Sequence, residues 1–564
     1  MRWIHLQNFL NNTEEGSCNM VKKQKQRFHG IILGLLIMIC TSLVVACSTQ
    51  STTPEPNQQP ETDKPKAGGT ITVAYASEAD TLDVHKSVGN DMGVTWNMGG
   101  SLVYKDPVTK EFKPNLASEF KISEDGKTYT FTIRSDVTFH DGTPLTAKSF
   151  KDTFERIKNP KTKAKLAGIV MMPVKSVSAP DDKTLILELH EPNVSILEDL
   201  GTGVTQPLSM KAIEKYGEGY GRNPVGMGPW KFESWKAGEG VTLVRNEAFN
   251  WAMPLDENQG PPRPDKLVIK TIPDKSVVLA ALENGTIDVA FDVPAKDIKK
   301  YRNNPNYQVL ELLRAGIPLS LYMNLTKPEF QDIQVRKAFN MLVNKQAMVQ
   351  AVLMGEGEVA QSFLSPSTLG YDKSLEKYGY QYNVEEAKKL LDAAGWKVNG
   401  EGLREKDGKV FTLSLLSSAR FEMQAQLLQA MLGEVGIKAT IQNLEESAFS
   451  DGQMKGNFDV TMVTYSYDDP DALYQSFHSS QIGAGFNISG LKDGKLDALL
   501  TKGRATAETE ARKQVYVDAQ KHLLEQAYAV PIYYDKLFVV VSSRVKGVKW
   551  TSYSPNFQDS WVEK

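Results

Sequence analysis

The side chains best suited to chemistry stand together at Tyr465-Ser466-Tyr467-Asp468-Asp469-Pro470-Asp471. A carboxylate in such a loop can pair with an ammonium group, which is costly to bury unpaired. Asp-Asp-Pro-Asp after the alternating strand Asp459 to Thr464 can equally cap the next helix at its positive end, with no ligand involved. For Asp469 and Asp471 both readings stand. Other constellations fail on spacing. Gly126-Lys127-Thr128 mimics the end of a phosphate-binding loop, but Lys121 stands where that loop needs glycine. There is no HExxH, no GxSxG and no cysteine pair, and His85, His140, His190, His478 and His522 are widely separated, each suiting a surface or packing role. Neither catalysis nor a cofactor or bound metal is read from these residues.

The elements that carry these side chains follow from periodicity. Glu119 to Ser123 is extended, Glu124-Asp125-Gly126 turns, and Lys127 to Arg134 places Tyr129, Phe131 and Ile133 on one face. Asp141-Gly142 is a second turn, and Pro144 leads into a helix on which Phe150, Phe154 and Ile157 recur. Thr70 to Ala76 and Leu185 to Leu189 read as strands, and Met92 to Gly100 as a helix ending at its two glycines. Trp235 and Val241 flank a hairpin turn at Gly238-Glu239-Gly240. Lys266 to Ile272, Asp274 to Asn284 and Thr286 to Phe291 form one β-α-β unit. Val410 to Leu416, Glu422 to Glu434 and Ile437 to Asn443 form another, so largely parallel sheets in two lobes are expected. Helices are predicted over Val335 to Met354 and Asn383 to Ala394.

The N-terminal region reads as an export leader. Lys22, Lys23, Lys25 and Arg27 precede an apolar run from Gly30 to Ala46, which stops at Cys47. Val44-Val45-Ala46-Cys47 resembles a bacterial lipobox, at which cleavage would leave Cys47 as the lipidated first residue. Residues 1 to 19 do not suit the start of such a leader, so translation is expected to begin at Met20. The only cysteines are Cys18, Cys40 and Cys47, so no disulfide framework can form in the mature chain. Residues 1 to 46 carry five basic and two acidic side chains, and their removal moves the net charge from −3 to −6. That balance argues against a nucleic-acid partner. Ser48 to Lys66, rich in Pro, Thr and Gln, reads as an extended tether.

The phrase EDGKTYTFTIRSDVTFHDGTPLTAKSF, with LYMNLTKPEFQDIQVRKAFNMLVNKQAM, YNVEEAKKLLDAAGW and FDVTMVTYSYDDPDALYQSFHSS, resembles family 5 extracellular solute-binding proteins, which serve ABC importers of oligopeptides, dipeptides or nickel complexes. The resemblance covers nearly everything from Gly69 to Lys564. It implies an α/β, two-lobed periplasmic-binding-protein-like fold of type II with a hinge and an extra domain inserted in the first lobe. Residues 68–103, 220–313 and 531–564 would form the first lobe, 104–219 the insert and 314–530 the second lobe, with crossovers near Leu313 and Pro531. The expected function is peptide capture at the outer face of a bacterial membrane, oligopeptides favoured over dipeptides, by a lipid-anchored monomer that delivers to an ABC permease. The alternatives are a nickel or metallophore binder of the same family, and a peptide pheromone sensor or chaperone lipoprotein.

By the same resemblance, Tyr465, Ser466, Tyr467 and Asp468 line the cleft, where the loop backbone pairs with a peptide and an aspartate receives its α-ammonium. Asp469 joins them as a candidate. Tyr322 and Asn324 lie at the crossover into the second lobe, and Val88 and Gly89 follow the first strand. Tyr322 also suits the core, and Asn324 needs partners from hinge backbone or ligand. Arg420 stands near the place where the dipeptide branch holds a carboxylate, and equally suits a solvated helix start. The tryptophan of that branch is replaced by Glu445-Glu446-Ser447. These departures favour a longer peptide.

Overall fold

The computed structural model describes residues 65–563 apart from Val88, Asn90, Ser552 and Tyr553. The leader, Cys47 and most of the tether lie outside the described residues.

Three sheets organise the chain. A seven-stranded sheet takes its strands in the order Tyr307–Leu313, Lys536–Ser542, Val289–Ala290, Thr70–Tyr75, Lys266–Thr271, Gly240–Arg245 and Trp230–Lys236. A six-stranded sheet runs Glu358–Val359, Ala529–Tyr534, Ile317–Met323, Val460–Tyr465, Thr412–Ser418 and Lys438–Leu444. A four-stranded antiparallel sheet, Ala117–Ile122, Thr128–Ile133, Thr184–Leu189 and Val174–Ser178, belongs to the inserted domain. The fold is α/β and two-lobed, each large sheet with its own apolar core.

Both β-α-β units form. Lys266–Thr271 and Val289–Ala290 flank Thr70–Tyr75 in parallel, and Thr412–Ser418 lies parallel to Lys438–Leu444 and Val460–Tyr465. The large sheets are nonetheless mixed, not largely parallel, because the hairpin Trp230–Lys236/Gly240–Arg245 and the strands on either side of the crossovers pair antiparallel. The helix predicted over Val335 to Met354 is two helices, Ile333–Leu342 and Lys345–Leu353. Asn344 breaks it by accepting a hydrogen bond from the Ala347 N–H, which stabilises a new N-terminus in place of a continuing turn.

In the inserted domain, Tyr129, Phe131 and Ile133 share a core with Phe150, Phe154 and Ile157 of the helix Ala147–Lys158. That helix starts at a capping box in which Thr146 and Ser149 bond reciprocally. Burying each phenylalanine there contributes roughly 1.5–3 kcal/mol.

Two segments cross between the lobes side by side. Arg314 to Gly316 joins the edge of the seven-stranded sheet to the middle of the six-stranded one, and Asp535 alone joins Ala529–Tyr534 to Lys536–Ser542. Pro531 therefore lies inside a strand of the second lobe, and the return crossing comes four residues later than the resemblance placed it. The crossings are tied together. The Arg314 N–H donates to the Asp535 carbonyl at 3.1 Å, and its guanidinium to the Asp535 carboxylate at 2.9 Å.

Candidate functional site

Strand Val460–Tyr465 delivers its C-terminal loop to the inserted domain. The loop lies directly on Gly316 of the first crossing, where a Cβ would stand 2.2 Å from the Tyr465 carbonyl oxygen and where φ is +91°. Only glycine permits that approach. Tyr465 and Tyr467 stack at 5.8 Å, nearly parallel, with Ser466 exposed between them. The Tyr465 hydroxyl donates to Gln475 at 2.7 Å and that of Tyr467 to Asp199 at 3.1 Å.

The aspartates are spent on internal partners. Asp469 is fully buried, with Arg512 donating to its two oxygens at 2.8 and 2.7 Å and Ser195 of the inserted domain at 3.1 Å. Burial alone would raise its pKa, and Arg512 overcomes this to hold it below the usual carboxylate range. Asp471 receives Arg504 in bidentate fashion at 2.9 and 2.7 Å, and makes no side-chain cap on the helix Ala472–Phe477. Asp468 is buried, 3.7 Å from the Lys110 ammonium, and its carbonyl accepts from the Lys105 ammonium. Lys105 also donates to Glu198 at 2.7 Å, and that pair is almost completely buried. An ammonium group thus already sits at Asp468, and it belongs to the chain itself. Burial pushes the pKa of Glu198 up, and pushes that of Asp199 well up against the pull of the Tyr467 hydroxyl.

The remaining candidates scatter. Tyr322 is fully buried and stacked on Phe477 at 5.3 Å. Asn324 donates to the carbonyls of Gly456 and Phe458 at 3.1 and 3.0 Å, and accepts from Thr326, so backbone satisfies it. Gly89 has φ +109° and lies against Met92, while Val88 is outside the described residues. Arg420 is exposed beside Phe421, beyond the end of strand Thr412–Ser418. It is one of the cations, after Lys275 and Arg314, that hold Asp292 of the first lobe below the usual carboxylate range despite its burial.

Beyond Lys105 and Glu198, on the side away from the loop, opens a cavity of about 210 Å³. Neither spacing nor resemblance pointed to it, because its walls come from places far apart in the chain: the helix Met92–Met98 with the segment after it, residues 198–206, Pro229, residues 249–256, and residues 550–551 with 554–558. Glycines set its shape. A Cβ on Gly99 would fall 1.3 Å from Gln206 Oε1, one on Gly100 2.5 Å from the Trp251 ring, and one on Gly203 2.2 Å from the Trp96 ring. The wall side chains therefore lie flat on bare backbone. Gln206 is held in turn by His85, whose Nδ1 faces Arg156 at 2.7 Å and whose Nε2–H donates to the Gln206 carbonyl at 3.2 Å. Burial, with Arg156 close by, pushes the His85 pKa down to about 4. Among the described residues no group of three His, Cys, Asp or Glu side chains could hold a metal ion, and no helix is long and apolar enough to cross a membrane.

The comparisons with known proteins fit this architecture. The family described as bacterial extracellular solute-binding proteins, family 5 Middle, matches residues 111–485, and the chain belongs to it. The oligopeptide-binding protein AppA of Bacillus subtilis is 26% identical over 558 residues, covering 96% of this chain and all of its own. Its structure in complex with a nonapeptide superposes with a TM-score of 0.71 over 89% of this chain. NikZ of Campylobacter jejuni, solved with Ni(L-His), is 28% identical with a TM-score of 0.70, over 87% of this chain and 97% of its own.

Proposed function

We propose that this chain captures peptides outside the membrane and presents them to the permease of an ABC importer. The observation that carries the reading is the paired crossing at Arg314 and Asp535, two adjacent connections about which two lobes can hinge. Contacts made only when the lobes close shift the population, and closure is what a permease can read. The similarity to a nonapeptide-binding protein along its whole length supports an oligopeptide as ligand. Lys105 donates to the Asp468 backbone carbonyl and Lys110 lies 3.7 Å from its carboxylate, so in this reading an arriving peptide α-ammonium shares that carboxylate with a lysine of the chain. In this reading the first lobe comprises residues 68–103, 220–313 and the chain after Asp535, the insert spans 104–219, and a lipid on Cys47 anchors the protein through the tether.

A second reading within the family, a metal chelate as cargo, draws on the similarity to NikZ. Native mass spectrometry of the full chain, extracted gently in detergent and then acid-released, separates them. A ladder of peptides sharing length but not sequence is expected, together with a diacyl mass on Cys47. A single small molecule or a metal complex sinks the peptide reading, and an unmodified or absent Cys47 sinks the anchor.

A further inference from the structure

The cavity beyond Lys105 is walled by rings. Trp96, Trp251 and Trp550 line it together with Tyr104 and Phe249. Trp251 and Phe249 are almost fully buried and pack on each other at 4.9 Å, tilted by 56°, while the rings of Trp251 and Trp96 rest on Gly100 and Gly203 with no Cβ between. An aromatic side chain has only two χ angles to lose, and neighbours on both sides already hold these, so the ring faces are in place before any guest arrives. The polar groups of the wall are spent or sealed. Lys105 pairs with Glu198, and its ammonium lies 5.4 Å from the centre of the Phe112 ring. Asp256 accepts from Asn556 at 2.7 Å. The side-chain oxygens of Asn115, Gln206 and Gln558 are buried within the wall and do not open into the cavity, that of Gln206 being pressed against Gly99. A charged guest would give up its hydration here and find no partner in exchange, which is unfavourable. What the cavity offers is apolar contact and ring faces.

Size narrows the guest. An apolar cavity of about 150 Å³ holds one benzene ring. At about 210 Å³ this one has room for a bicyclic ring such as indole. It falls short of the roughly 300–1,000 Å³ of sites that enclose a whole small ligand, so it suits one side chain of a larger ligand. The entrance also carries apolar side chains in water. Leu255, 41% exposed, lines the cavity, and Val108, 87% exposed, follows directly on Pro107 of the wall. Exposed apolar side chains scattered singly are ordinary, whereas two beside an aromatic cavity extend its apolar surface to the outside.

We propose that this cavity is a subsite for one planar aromatic side chain of the captured peptide, up to the size of indole, with Trp96, Trp251 and Trp550 supplying the faces on which it packs. The proposal rests on the peptide reading only for the chain to which the ring is attached.

Isothermal titration calorimetry of the full chain in detergent tests it with four probes: Ala-Ala-Trp-Ala-Ala, the same pentapeptide with cyclohexylalanine for tryptophan, penta-alanine, and free N-acetyl-tryptophanamide. Cyclohexylalanine is bulky and apolar but puckered and without π faces, so it separates recognition of a flat ring from hydrophobicity alone. The tryptophan peptide is expected to bind about tenfold more tightly than penta-alanine and about threefold more tightly than the cyclohexylalanine peptide. Trp550→Ala removes one face of the wall, and Leu255→Trp puts an indole of the chain itself at the entrance. Each should cut the tryptophan-to-alanine ratio at least about threefold while leaving the penta-alanine affinity in place, which also shows that each variant is folded. A cyclohexylalanine peptide that binds as tightly as the tryptophan one, or a tryptophan-to-alanine ratio that survives both substitutions, overturns the proposal. If N-acetyl-tryptophanamide binds with the same dependence on Trp550 and no pentapeptide binds, the cavity assignment stands and the peptide reading falls. If none of the four probes binds, the cavity assignment falls.

Discussion

At the seam between the inserted domain and the second lobe, Asp469 meets Arg512, Asp471 meets Arg504 and Glu198 meets Lys105. A few ångströms of wall away, Asn115, Gln206 and Gln558 keep buried oxygens that nothing in the chain meets. Both regions are polar and enclosed, yet one closes its own hydrogen bonds and the other leaves them open. Density of charged residues is therefore a poor guide to a binding site in this molecule. The seam holds more carboxylates than the cavity, but its ion pairs close within one side or the other, and Ser195, Asp199 and Lys105 then bond across it to Asp469, Tyr467 and the Asp468 carbonyl. Capacity for a ligand lies where the fold leaves a space that its own side chains do not fill.

The comparison breaks first at Arg512. If the seam is self-satisfied, Arg512→Met strands the Asp469 carboxylate in the interior and should lower stability by about 3–5 kcal/mol, the largest effect expected of any single change here. Adding Asp469→Leu should restore much of the loss, because an apolar pair can replace a buried ion pair where a lone charge cannot be tolerated. Thermal unfolding of the single and double variants reads both. A single variant as stable as the parent would mean that Asp469 has another way to be satisfied.

A smaller effect is expected at Gly316, which seats the loop on the crossing. Gly316→Ala places a Cβ 2.2 Å from the Tyr465 oxygen at a φ of +91°, so the loop must shift. The expected loss is about 1–3 kcal/mol, with the Tyr467 to Asp199 bond broken as the loop lifts. Denaturant titration gives the first quantity, and tyrosine fluorescence near the seam the second. An unaltered midpoint would show that the crossing can give way to the loop without strain.

What could be read in the sequence divides along the same line. The β-α-β units, the Tyr129/Phe131/Ile133 face and the helix bearing Phe150, Phe154 and Ile157 are local patterns, and each forms with its own core. The break at Asn344 was also local, an asparagine three residues before the Ala347 N–H it caps, but the apolar stripe running through it hid the signal. The loop Tyr465 to Asp471 was legible as a concentration of function-capable side chains. Its partners were not, since Arg504 and Arg512 lie on the following helices, and Ser195, Glu198 and Asp199 come from the inserted domain. The cavity was harder still. Gly99 and Gly100 were legible as a helix end, and nothing in their spacing disclosed that Gln206 and Trp251 lie against them. Close approach between segments more than a hundred residues apart leaves no periodic trace.

The mildest test, on the cavity side, sharpens the contrast by titration. The folded pKa of Asp256 is raised from 3.8 to about 6 by burial first and the Asp559 charge second, with Lys549 pulling the other way. A carboxyl group whose folded pKa is raised contributes stability that is full below its unfolded pKa and is lost as pH rises through the folded one. The parent should thus lose stability between about pH 4 and pH 6, by on the order of 1 kcal/mol once solvent screening is allowed for. Asp256→Asn should flatten that part of the profile. Melting temperatures across this pH range check it, and an unchanged slope in the variant assigns the titration to another group. No comparable titration is expected of Asp469, which Arg512 already holds below the usual carboxylate range.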